Sequence, residues 1–141
     1  MTTAYATRSP LATTPTAPFR RARYAVIVAT TALSNLIVFL VGSSSGASMV
    51  VNTPAATEIG PPLVIVASIV PLTLAGIATW FVAKRVPAFR VWAARIVGAV
   101  AVLSTIAPFA MAVDVATGST LAVMHLVVGG AFLLALLTGR R

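Results

Sequence analysis

Four apolar runs divide the chain, each bounded by basic, polar or turn-forming residues. They cover roughly 24–42, 63–83, 92–113 and 119–138. Each is close to the ~20 residues that carry a helix across ~30 Å of hydrocarbon. In lipid the backbone finds no water, so it must satisfy its own polar groups, and a helix does so within one segment. Barrel strands would be half as long and would alternate apolar with polar residues, which these runs do not. The pattern predicts an all-α fold, a four-transmembrane-helix bundle over residues 24–138. Residues 1–23 are rich in Thr, Ala and Pro and lack apolar periodicity. Such a segment buries too little surface to offset its ordering entropy, so a disordered basic cytoplasmic tail is expected there. A basic end follows at 139–141. The connection from Ser43 to Pro62 is long, while those around Pro87 and Gly118 are short. Short connections make the second, third and fourth helices antiparallel neighbours.

Composition reinforces the membrane reading. Hydrophobic residues make up 59% of the 141 and charged residues 9%, against about 25% charged in soluble domains. A soluble domain of this length has too little interior to hide that much apolar surface.

The net charge of +8 raises nucleic acid as a partner, but its placement argues against that. Arg8, Arg20, Arg21 and Arg23 precede the first run; Lys84, Arg85, Arg90 and Arg95 surround the second connection; Arg140 and Arg141 end the chain. All ten basic residues thus fall on one side of the four runs, and Glu58 and Asp114 fall on the other. By the positive-inside rule this predicts a multi-pass cell-membrane protein with both termini in the cytoplasm. Trp80 and Trp92 stand at the same boundary, where amphipathic rings prefer the headgroup level. Arg95 lies near the inner end of its run and can snorkel to the interface. Arg20, Arg21, Arg23, Trp80, Lys84, Arg85, Arg90, Trp92 and Arg95 are therefore the expected inner anchors, and their charge suits anionic lipid headgroups. The first run also has the outline of a signal peptide, but it is longer than the usual ~7–15 residues and contains Asn35. A retained helix is the expectation.

Little chemistry is on offer. With no cysteine, thiol nucleophiles, disulfide exchange and thiolate metal sites are excluded. One histidine and two acids have no ligand spacing within a helix, so neither a metal nor any other cofactor is expected. The polar groups inside the runs are the remaining candidates, because such groups are costly in lipid. His125 lies about six residues, roughly 9 Å, inside the outer end of the fourth run. Asn35 has a similar depth, with Ser68 and Ser104 within about a turn of it. Pro71 and Pro108 lack an N–H and are expected to break their helices, leaving the carbonyls of Ala67 and Ser104 for His125 or Asn35 to satisfy. A polar layer of Asn35, Ser68, Ser104 and His125 follows, with Asp114 at its mouth. The plain reading is helix glue at about 1 kcal/mol per hydrogen bond, with Asp114 as a capping residue. The functional reading is a pocket in which His125 titrates or binds a ligand while Asp114 tunes it.

Three stretches carry a resemblance. They are Pro71-Leu-Thr-Leu-Ala-Gly76 with Trp80, the segment Trp92 to Pro108 with Ser104-Thr-Ile-Ala-Pro108, and Asp114 through Met124-His125-Leu-Val-Val-Gly129. Over residues 24–138 the chain resembles a family of small actinobacterial four-helix membrane proteins catalogued as domain of unknown function 6069. The resemblance implies a four-helix bundle with Asp114 and His125 as characteristic positions, and it implies no activity. The expected role is a non-enzymatic membrane component acting through a membrane protein partner or a homo-oligomer. The alternatives are a small transporter or proton-coupled carrier using the Asn35–His125 layer, and an outer-leaflet enzyme with a His125–Asp114 dyad.

Overall fold

The computed structural model describes residues 21–86 and 89–138. Expectations for residues 1–20, Pro87 and residues 139–141, including the tail and Arg20, fall outside that range. Helix α1 spans Arg21–Ser44, α2 Pro61–Arg85, α3 Phe89–Leu103, α4 Ile106–Met111 and α5 Val115–Thr138. Helices α3 and α4 together form the third span, and all four spans are long and apolar enough to cross a membrane.

The prolines behave differently from one another. Pro71 lies inside an unbroken α2, so the expected break there does not occur. The third span does break, at Ser104 and Thr105, the turn preceding Pro108. A proline ring clashes with the carbonyl four residues back, and here the chain answers by tightening. Thr105 N–H donates to Val102 O at 3.1 Å, and the Ser104 and Thr105 hydroxyls donate to Ala101 O and Val102 O at 2.9 and 2.6 Å. Neither expected donor goes to a proline-freed carbonyl: His125 Nδ1 is 2.7 Å from Leu121 O, and Asn35 Nδ2 donates to Ser68 Oγ at 2.9 Å.

Helix α5 is the hub. It packs along α1 on one side and α3 and α4 on the other, while α1 also packs along α2. The fourth seam, between α2 and α3, is sparse, although a short connection made these two expected neighbours. Glycines set the tight seams, since a missing side chain lets backbones approach. A Cβ on Gly129 of α5 would overlap Ala101 of α3, and one on Gly76 of α2 would overlap the Tyr24 ring of α1. The Tyr24 hydroxyl donates to Leu72 O, joining the same pair of helices.

The long connection holds a hairpin that the hydrophobic pattern did not predict. Strand β1 (Val50–Thr53) pairs antiparallel with β2 (Ala55–Glu58), turning at Pro54. It is tied to the α4–α5 connection by the Val51–Ala112 bridge and by Val113 N–H donating to Val50 O at 3.1 Å. The interior forms two apolar clusters. Phe39, Ala47, Met49, Val64 and Met124 pack near the hairpin end, and Leu72, Ala93, Phe132 and Leu136 pack toward the other.

Candidate functional site

Between these clusters lies a cavity of about 580 Å³. Its walls come from α2, α3 and α5, and Asn35 is its contribution from α1. The sparse α2–α3 seam explains why space remains there. Asn35, Ser68, Ser104 and His125 all line it, as does Pro71. The rest of the wall is almost entirely aliphatic and aromatic, with Val64, Leu72, Met124 and Phe132 reaching in from the two clusters.

Periodicity accounts for this convergence. Asn35 sits on the buried stripe of α1 with Thr31, Ala32 and Phe39. Ser68 continues the Val64–Leu72–Gly76–Thr79 stripe of α2. Both are 2% exposed, and their side chains meet through the Asn35 Nδ2 to Ser68 Oγ bond. Ser68 in turn donates to Val64 O at 2.7 Å. That leaves Asn35 Oδ1 buried without a partner, at a typical cost of ~1–3 kcal/mol for a desolvated polar atom. His125 is exposed on the α5 surface. A carbonyl can only accept, so its Nδ1 is the donor to Leu121 O.

Asp114 does not join this group, because it is not among the cavity's lining residues. It caps α5 instead: Oδ1 accepts the Thr117 N–H and Oδ2 the Thr117 hydroxyl, both at 2.7 Å. Oδ2 also accepts the Ser48 hydroxyl at 2.5 Å and the Ser48 N–H at 3.2 Å. These bonds hold the carboxyl well below the usual carboxylate range, the Ser48 hydroxyl contributing most. Ser48 and Thr117 were missed from sequence. An Asp-x-x-Thr pattern at a helix start signals Thr117, but nothing local signals Ser48, which lies 66 residues away.

Thr117 extends the latch by accepting the Met49 N–H at 2.9 Å, and Met49 O accepts the Ile59 N–H at 2.7 Å. Met49 has φ +54 and is 2% exposed. A left-handed conformation is uncommon for such a residue, and these bonds on both sides hold it there. Glu58 is exposed at the end of β2.

At the opposite end the basic residues gather. Arg23 donates to Thr138 O at 3.3 Å, which puts the start of α1 beside the end of α5. Lys84 and Arg85 form the last turn of α2, where cations complement the helix dipole. Lys84 Nζ lies 3.4 Å from the centre of the Trp80 ring, and the Arg95 guanidinium 5.4 Å from that of Trp92, both within cation–π range. Arg21 starts α1, and Arg90 stands in the first turn of α3. Among the described residues no group of three His, Cys, Asp or Glu is placed to hold a metal ion.

The model of a family of unknown function, DUF6069, matches residues 15–141, and the chain belongs to that family. No curated protein and no solved structure matches it.

Proposed function

We propose that this family member is a multi-pass cell-membrane component, with both termini in the cytoplasm, that catalyses no reaction and acts through a membrane partner or its own copies. The observation behind this reading is the commitment of Asp114. Its carboxylate is held by Ser48 and Thr117 at the cap of α5, so the cavity contains His125 without an acid to orient it. General acid–base work needs such groups within hydrogen-bond reach of one another or of substrate.

The third span supports association. Of its most apolar stretch, 6% is buried inside the protein, against 22%, 28% and 33% for the other three spans. Its outward face includes Ile96, Val102 and Leu103, each more than half exposed, and packing by a second helix suits such a surface. The basic end supports the cytoplasmic orientation, and Arg23, Lys84, Arg85 and Arg95 supply sites for anionic headgroups there.

Native mass spectrometry of the full chain released from nanodiscs tests the reading. A defined oligomer or a stoichiometric membrane partner is expected, and a strictly monomeric chain without one overturns it. One observation favours a second reading, a proton-coupled carrier, because four polar side chains share one membrane cavity. Proton flux in proteoliposomes that His125→Ala leaves unchanged removes it.

A further inference from the structure

The polar wall of the cavity has an unbalanced hydrogen-bond inventory. The Ser68 hydroxyl hydrogen goes to Val64 O and that of Ser104 to Ala101 O. Asn35 Nδ2 donates to Ser68, and His125 Nδ1 is engaged with Leu121 O. Apart from the second amide hydrogen of Asn35, what remains is acceptor capacity: Asn35 Oδ1, which has no partner, and the Ser104 oxygen. The Asn35 side chain is almost fully buried and lines the cavity, so a partner for its oxygen comes most directly from whatever fills that space.

We propose that the cavity binds a neutral, membrane-soluble amphiphile that donates a hydrogen bond from a hydroxyl group and enters from the lipid through the α2–α3 seam. Each competing ligand class fails on a specific residue. An anion finds no lysine or arginine in the wall, since the described cations stand at the basic end. A cation finds no carboxylate, because Asp114 is at the cap of α5 and Glu58 is in the hairpin. A plain hydrocarbon fills the volume but leaves Asn35 Oδ1 unpaired, and a ligand carrying only carbonyl or ether oxygens can accept the second amide hydrogen of Asn35 but still leaves Oδ1 without a donor. The volume falls in the ~300–1,000 Å³ of small-molecule pockets, whose walls are mostly apolar with few polar groups. The sparse packing of α2 on α3 supplies a lateral route that needs no passage through water. The site goes beyond the association reading, since a monomer with no protein partner can hold such a ligand.

The test uses the full chain in nanodiscs with three photoactivatable probes: a diazirine-bearing long-chain alcohol, its methyl ether and the matching fatty acid. The alcohol is expected to label the segments around Ala67–Ala75 and Met124–Phe132 about fivefold more than the ether, the worth of one hydrogen bond. Ala67→Phe, which fills the cavity from α2 without replacing any of its polar residues, should reduce that labelling by a similar factor. Val100→Phe does the same from α3, should the first variant not fold. Asn35→Leu should bring alcohol and ether to equal labelling. Equal labelling of the unaltered chain by alcohol and ether, preference for the fatty acid, or labelling unchanged by the filling variants would overturn the proposal. None of these results bears on oligomeric state, which native mass spectrometry reads separately.

Discussion

The Asp114 carboxylate receives four hydrogen bonds, two from Ser48 and two from Thr117. Hydrogen bonds to the charged form favour it, which is why its pKa is depressed. A carboxyl with a lowered folded-state pKa adds stability that is fully present above the unfolded value of about 3.9 and is lost as pH falls through the folded value. The latch should therefore stay closed throughout the neutral and mildly acidic range. In nanodiscs the Asp114 carboxyl carbon is expected to keep its ionised NMR shift as pH is lowered past 3.9, the ordinary Asp value. A midpoint at that ordinary value would contradict the bonding seen here. Asp114→Asn should loosen the hairpin throughout the neutral and mildly acidic range, read as faster amide exchange at Met49. Asn35 is the converse case, with one amide atom bonded and the other unpaired. Its depth was legible from its position in an apolar run. The unpaired state of its oxygen was not, because it depends on Ser68 and on the packing around both.

At the scale of elements, the tight seams and the open one have different origins. Gly129 meets Ala101 so closely that any side chain must push α3 away from α5. Overpacking of this kind costs about 1–3 kcal/mol, so Gly129→Val should lower thermal stability in detergent by that order. Gly98 and Gly130 have nothing within 4 Å of an added Cβ, and Gly98→Ala and Gly130→Ala should leave the melting temperature nearly unchanged. Equal effects at all three positions would mean that α3 and α5 are not in this register. Which glycine faces a neighbour depends on the rotation of each helix, and apolar residues on every side give no preferred face to read. For the same reason the sparse α2–α3 seam was invisible, and connection length suggested the opposite.

For the whole molecule the decisive variable is orientation. The described basic residues stand at one end, while Glu58 in the hairpin and Asp114 stand at the other. Because the chain has no cysteine, single introduced cysteines report topology cleanly. With intact cells, Thr57→Cys in the hairpin should react with a membrane-impermeant maleimide and Arg85→Cys should not. The reverse pattern would invert the topology, and reaction at both positions would mean that the chain does not span the membrane as four helices. The cavity reaches the hairpin end at Ile59 and Leu63 and extends past the middle of the spans to Ala75 and Phe132.

Length and hydropathy by themselves determined that there are four membrane-spanning helices, because a segment that crosses lipid must be long, apolar and internally bonded whatever its neighbours do. Charge placement likewise determined which ends of the helices lie together. Similar depth brought Asn35, Ser68, Ser104 and His125 to one level, since rise per residue is a local property. Only the tertiary structure decided that they line one cavity, that Asp114 belongs to a latch with Ser48 and Thr117, and that residues 50–58 pair as a hairpin. Those outcomes turn on contacts between distant segments, set by helix rotation and seam packing, and in lipid neither leaves a polar face in the sequence to mark it.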